Sequence, residues 1–285
     1  MNIKHKIILA IGIIAIIGAI LLGYATFIEA KNFTIKEYKI AVDNLPDEYD
    51  GLKVIHFSDL HYGTSVKDKE LKRIVKMINN TDADIVVFTG DLVDNKITEE
   101  EHKKLAKELQ KITAKLEKYI INGNHDALYD KWNTLVEDAG FVNINDSYEL
   151  IYKNSNKNIF LAGISDSLYA TKAIKDRTKT LFDYVNSEAI NESAYKILLV
   201  HEPDDVAKID SNKFNLILSG HSHNGQIRIP FVGSVWYPAG CKKFNKEYYN
   251  INGTDLYISN GLGTTLLPIR FLNQPSMNLF RIVKK

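Results

Sequence analysis

The chain has 285 residues, enough for one large α/β domain, and its 45% hydrophobic and 25% charged content excludes a disordered tail or linker. A formal net charge of +1 gives no support to a protein built to coat nucleic acid, and no basic stripe is visible. Cys241 stands alone, so neither an intramolecular disulfide nor a cysteine zinc site can be built.

The first element is apolar. After the basic head at residues 1–6, residues 7–28 hold 22 positions without a charge, about the length that crosses a bilayer. That favours an uncleaved anchor over a signal peptide, whose apolar region is about 7–15 residues. Ile28-Glu29-Ala30 could pass for a cleavage site, and a buried core helix is the third reading. Lys4 and Lys6 precede the span, whereas Lys31, Lys36 and Lys39 follow it, so charge does not fix orientation. A very short head before a first helix usually stays inside, which favours an extracytoplasmic domain. Residues 29–50 read as a linker with an edge strand over 31–42, and residues 51–285 as the main domain.

Five segments then share one design: VIHFSD, IVVFTGD, YIINGNHD, ILLVHEPD and LILSGHSH. Each is an apolar run that ends in a polar side chain able to bind metal, and the runs read as buried strands. Between the first three lie amphipathic helices, one with Leu71, Ile74, Val75 and Ile78 on a single face, the next with Leu105, Leu109, Ile112 and Leu116. Alternating strands and helices predict an α/β sheet flanked by helices, with functional groups beyond the strands' carboxyl ends. Residues 148–163 and 225–280 are richer in strand and supply a second sheet packed on the first.

The candidate chemistry sits at those five strand ends. Asp59 and His61 are two apart, as are His221 and His223, so each pair can grip one ion from extended backbone. Asp91, Asn124 and His201 complete seven candidate ligands, and Asp94 follows Asp91 by three. Singly each cluster has a bland explanation: a chance triplet, a turn, a core histidine. Together they do not, because five of the eight histidines fall in them. Carboxylate, imidazole and amide donors without thiolate suit Mn²⁺, Fe²⁺, Zn²⁺ or Mg²⁺, with Mn²⁺ favoured. Seven donors exceed one tetrahedral site and suffice for two ions sharing a carboxylate, with a hydroxide between them able to attack phosphorus.

In this pattern the chain resembles the calcineurin-like metallophosphoesterases, whose five blocks occur here in order as SDLH, GDLVD, GNHD, the histidine of VHEPD, and GHSH. The resemblance covers about residues 51–285 and implies a four-layer α/β/β/α sandwich of two mixed sheets flanked by helices. It places Asp59, His61 and His223 on one ion, Asn124, His201 and His221 on the other, and Asp91 between them. His125 would contact the scissile phosphate and serve the leaving oxygen. Asp126 would orient His125 or a neighbouring ligand, and Asp94 would brace its turn. Finer features are similar to the membrane-anchored bacterial branch often called YkuE/YaeI-like, with GHSHNGQ and NGLGTTLLPIR as matching segments. Asn224, Asn260 and Ser276 depart from that branch's pattern, which puts substrate contacts rather than metal ligands in doubt. Arg270 could meet a phosphate or make a structural ion pair. Tyr62, Tyr129, Trp132, Tyr169 and Trp236 could line a groove or belong to the core, with Tyr129 and Trp132 nearest the GNHD block.

The expectation is therefore a membrane-anchored two-metal phosphoesterase acting on phosphoesters or pyrophosphates, with lipid- or wall-linked substrates within reach. Cleavage of a UDP-diacylglucosamine-type pyrophosphate is an alternative that needs a cytoplasmic-facing site. A membrane-tethered scaffold without activity is the alternative from another class.

Overall fold

The computed structural model describes residues 2–94, 97–167 and 173–285. The chain opens with α1 (Ile3–Gly23), whose side chains pack in no core, followed by a π-helical turn at Tyr24–Ile28 and a 3₁₀ turn at Glu29–Lys31. Among the described residues this is the one helix long and apolar enough to cross a membrane. Its exposure rules out a buried core helix.

The domain then runs β1 (Thr34–Val42), β2 (Leu52–Phe57), α2 (Asp68–Asn79), β3 (Ile85–Thr89), α3 (Glu99–Leu109), β4 (Glu117–Ile121), α4 (Trp132–Asp138) and β5 (Val142–Asn143). It continues through β6 (Ser147–Ile151), β7 (Asn158–Ile164), α5 (Ile174–Arg177), α6 (Lys179–Val185), β8 (Ser193–Val200) and β9 (Leu216–Ser219). A short hairpin follows, β10 (Arg228–Ile229) and β11 (Gly233–Ser234), then β12 (Tyr248–Ile251), β13 (Thr254–Ile258) and β14 (Ser276–Lys284).

Two six-stranded mixed sheets form, ordered β1-β14-β2-β3-β4-β5 and β12-β13-β9-β8-β7-β6. Their layering follows from the period of two along each strand. In β2 and β3, Val54, Ile85 and Val87 point into a core shared with Ile159, Leu161, Ile197 and Leu199 of the second sheet. Their neighbours Ile55, Phe57, Val86 and Phe88 point the other way, onto Leu71, Ile74 and Ile78 of α2 and Leu105 of α3. The second sheet repeats this outward, with Phe160 and Leu198 meeting Leu181 and Val185 of α6. The result is the expected α/β/β/α sandwich, and strands buried on both faces explain why they read as unbroken apolar runs.

Two boundaries differ from the sequence reading. The helical stripe was expected to run on to Leu116, but α3 stops at Leu109. Beyond it, Lys115 and Leu116 donate to the carbonyls of Ala83 and Asp84, so the main chain there is already committed to the β3 side of the sheet. β1, read as an edge strand ahead of the main domain, is the edge of the first sheet and pairs in parallel with β14 along its whole length.

Candidate metal centre

The five polar strand ends converge at one edge of the sandwich. The loops after β2, β3 and β9 make sharp reversals there, with Asp59, His61, Asp91, His221 and His223 all at positive φ between 46° and 66°. Such backbone is rare for residues with a side chain and clusters at functional sites. Gly90 and Gly123 let the loops close: a Cβ on Gly90 would lie 2.6 Å from the His201 ring, and one on Gly123 would collide with the Asp91 carboxylate.

One group of side chains is Asp91, Asn124, His201 and His221. His201 Nδ1 lies 2.7 Å from the Thr89 carbonyl and His221 Nε2 lies 2.5 Å from that of Ala239. A carbonyl only accepts, so both of these ring nitrogens carry the proton, and the other nitrogen of each neutral ring keeps its lone pair. Those lone-pair nitrogens, His201 Nε2 and His221 Nδ1, face each other at 3.1 Å. Asn124 Oδ1 lies 3.1 Å and Asp91 Oδ2 3.4 Å from His201 Nε2. With both rings neutral, four acceptors meet with no donor among them. A cation satisfies such a set, so the residues fit a divalent metal.

The second group is Asp59, His61 and His223. His61 Nε2 and His223 Nε2 are 3.2 Å apart, and His223 Nε2 is 3.6 Å from Asp59 Oδ1. Asp91 Oδ2 joins the groups, since the oxygen 3.4 Å from His201 is also 3.7 Å from His61 Nε2. The seven residues expected to act together therefore do lie together, in two clusters that share one carboxylate. Asp59 is held by the His221 main-chain N–H at 3.0 Å and by the Ser58 hydroxyl.

Electrostatics agree with a cation site. Burial alone would raise Asp91, but His201 and His61 beside it outweigh burial and hold it well below the usual carboxylate range. Burial opposes protonation of His201, but the carboxylates of Asp91 and Asp59 draw positive charge to it and raise it well above an ordinary imidazole; a metal at Nε2 would supply that charge in place of a proton. His221 is pushed down to about 4 by burial and by His201. His223 is also lowered, by burial, His61 and Arg270. Both stay in the neutral form that binds metal.

His125 stands at the mouth. Its Nδ1 is 2.6 Å from Asp94 Oδ1, and that same oxygen is 3.7 Å from His61 Nδ1. Burial disfavours the charged ring, but the bond to Asp94 and the charge of Asp91 prevail and raise His125 above its ordinary value. Asp94 is lowered in turn, first by His125 and then by His61. His61, Asp94 and His125 are close enough to make a third potential ligand group.

Asp126 does different work. Its carboxylate accepts from the main-chain N–H groups of Asp91, Leu92, Val93 and Gly123 at 2.7–3.1 Å. It ties the loop after β3 to the loop after β4, and so sets where Asp91 and Asn124 stand.

Arg270 does not reach the mouth. Its side chain is completely buried, and its guanidinium donates to the carbonyls of Asn260, Gly261, Gly263 and Asn273. A substrate phosphate has no access to it, so the phosphate-contact reading of Arg270 is withdrawn. Nor is it a salt-bridge partner; main-chain carbonyls take the place of a carboxylate. Asn224 and Asn260 are buried too, Asn224 donating to Glu247 at 2.8 Å and Asn260 to the Gln274 carbonyl at 3.3 Å.

Of the aromatics, Tyr129 and Trp132 are core residues, Tyr129 being bonded to His102 at 2.8 Å. Tyr62 is buried and donates to Asp68 at 2.5 Å. Trp236 is exposed, and Tyr169 lies outside the described residues. The sequence reading missed the carbonyls of Thr89 and Ala239, which carry no side-chain signal. It also missed Glu202, next to His201, whose carboxylate lies 3.9 Å from His221 Nε2 and is pushed up to about 7 by burial and by Asp166 and Asp205.

Comparison with known proteins bears on this centre. Residues 52–225 match the family profile described as Calcineurin-like phosphoesterase. The chain is 32% identical over 266 residues to the metallophosphoesterase YkuE of Bacillus subtilis, covering 91% of this chain and 89% of that protein. It is 28% identical to a zebrafish (Danio rerio) protein named as a transmembrane protein with a metallophosphoesterase domain, covering 91% of this chain but 59% of that one. Among solved structures, TT1561 of Thermus thermophilus aligns with a TM-score of 0.50 at 13% identity, over 74% of this chain and 90% of that one, which supports the shared fold.

Proposed function

Since this chain belongs to the calcineurin-like phosphoesterase family and is a metal-dependent phosphoesterase, we propose that it works with two divalent ions while anchored in a membrane by α1. The observation that carries the reading is the pair of acceptor clusters that share Asp91 Oδ2. Asp59, His61 and His223 would hold one ion, Asn124, His201 and His221 the other, and Asp91 both. Such ions would activate water as a nucleophile and offset charge on the phosphoryl oxygens. The nitrogen and oxygen donor set suits Mn²⁺, Fe²⁺, Zn²⁺ or Mg²⁺, of which we favour Mn²⁺.

The protein's own groups do the rest. Thr89 and Ala239 fix the tautomers of His201 and His221 through their carbonyls, as the partners behind ligating histidines commonly do. Asp94 Oδ1 pairs with His125 Nδ1 at 2.6 Å, which leaves Nε2 as the nitrogen that would hand a proton to the departing oxygen. Against burial, Asp94 and Asp91 raise His125 above its ordinary value, which favours the protonated ring that a general acid needs. Asn124, beside His125, is a second group able to contact the phosphoryl oxygens. Asp126 acts only by positioning, through the four N–H groups that it gathers.

The chain, once stripped of metal with a chelator, should lose hydrolysis of bis-p-nitrophenyl phosphate and regain it with Mn²⁺. Full activity in the stripped protein would overturn the reading. We also place the domain on the extracytoplasmic side, on the strength of the short basic head before α1. Protease digestion of intact cells should then remove it, and protection would reverse the topology.

A further inference from the structure

The end of α1 is built into the catalytic edge. β1 runs parallel to β14, and β14 antiparallel to β2, so the chain enters β1 at the same end from which β2 delivers Asp59 and His61. The entry is fixed by hydrogen bonds: Arg270 N–H donates to the Ala25 carbonyl at 3.1 Å, and Asn273 N–H donates to Glu29 Oε1 at 2.6 Å. Ala25 and Glu29 are both buried. Asn273 in turn donates through Nδ2 to the His223 carbonyl at 2.7 Å. A cavity of about 230 Å³ lies between Phe27 near the helix end and Leu262 and Pro268 of the domain.

The same edge carries an apolar surface that the catalytic reading does not use. Loops 226–237 and 264–272 are joined by hydrogen bonds from Arg228 N–H to the Phe271 carbonyl at 2.9 Å and from Gln226 Nε2 to the Leu267 carbonyl at 2.8 Å. At their tips Phe231, Val232, Leu266, Leu267 and Leu272 are exposed. Phe231, Leu266 and Leu272 also have φ of 66°, 61° and 51°, so the backbone accepts a left-handed conformation while their side chains gain no packing in water. Beside them an apolar cleft of about 240 Å³ opens between Trp236 and Leu267. Exposed apolar groups gathered in this way mark an interaction surface, and aromatic residues favour the membrane–water boundary.

We propose that loops 226–237 and 264–272 form an apolar seat in the lipid leaflet from which α1 emerges, holding the mouth of the metal centre at the level of the phosphate headgroups. The proposal rests on the reading of α1 as membrane-spanning. Continuity supplies the occupant: the helix end and the 264–272 loop share hydrogen bonds and a cavity, so a bilayer around α1 adjoins this loop and the tips joined to it. The centre follows at once, because Gln226 is three residues from His223 and Gly263 N–H donates to the Asp59 carbonyl at 2.6 Å.

Trp236 reports the seat. Trp132, the second tryptophan, is in the core and out of reach of lipid. The full chain, reconstituted in phosphatidylcholine vesicles brominated on the acyl chains, should show quenching that Trp236→Phe removes. The double variant Phe231→Ser, Leu266→Ser should lose that quenching while circular dichroism and hydrolysis of the soluble diester are retained, since neither side chain touches a candidate ligand. A protein that resists carbonate extraction but shows no quenching of Trp236 would overturn the seat and leave the anchor standing. A protein released by carbonate would overturn the anchor and the seat with it. Quenching unchanged in the double variant would show that these tips do not hold the domain to lipid.

Discussion

Two basic residues flank the candidate centre, and they are opposites. Arg270 lies behind His223 with no exposed surface, its N–H groups spent on main-chain carbonyls and, through Nη2, on His223 Nδ1 at 3.3 Å. His125 lies in front of His61, 27% exposed at its side chain, with one nitrogen on Asp94. Both sit in segments that match the family pattern, and sequence alone offered both as substrate contacts. What separates them is spare hydrogen-bonding capacity at a surface that substrate can reach. Arg270 has none, so it acts as a staple that holds Gly261, Gly263 and Asn273 around the ligands. His125 keeps a free nitrogen, so it can act on substrate.

The contrast can be broken by experiment. The largest effect is expected for the shared carboxylate. Asp91→Asn should lower kcat by roughly a thousandfold or more, since ion-assisted charge stabilisation is worth several kcal/mol and each 1.36 kcal/mol is tenfold. Assay of the purified variant together with its metal content checks this, and unchanged turnover would contradict the two-ion arrangement.

His125→Ala should lower kcat by about 10²–10⁴-fold, the usual contribution of general acid–base catalysis, without lowering bound metal. Loss of metal in this variant would make His125 a ligand. Arg270→Ala should act on the fold instead. Removing the buried guanidinium leaves its carbonyl partners unsatisfied at a cost of about 1–3 kcal/mol each, which thermal melting will show as a lower Tm while KM of the folded fraction is unchanged. A raised KM at normal Tm would return Arg270 to the substrate.

The smallest expected effect is on pH. Asp94 raises the pKa of His125 against the opposing pull of burial. The acid works only while protonated, so kcat should fall as pH rises through the His125 pKa. Asp94→Asn lowers that pKa, and the fall should set in at lower pH. A pH–rate profile with an unmoved alkaline limb would separate Asp94 from His125.

Much of this was legible in the sequence because each ligand ends a strand. An apolar run that stops at a histidine or aspartate reports both a strand and the place where it opens, and five such runs point to one edge. The four layers were legible for the same reason. Roles set by packing were not. Nothing in the order of residues tells that Arg270 turns inward, that Tyr129 and Trp132 fill the core, or that Asp126 spends its oxygens on four main-chain N–H groups. The left-handed turns at Asp59, His61 and Asp91 were equally hidden, since no glycine occupies those positions to announce them. The period-two reading of Asp59 and His61 reached the right pair by assuming extended backbone, whereas the structure brings them together through a tight reversal.

The most direct test of the two-ion centre is a crystal structure of the Mn²⁺-loaded protein with anomalous difference maps. Two peaks are predicted, one among Asp59, His61 and His223 and the other among Asn124, His201 and His221, each within bonding distance of Asp91. A single peak, or a peak held by His61, Asp94 and His125 in place of either, would contradict it.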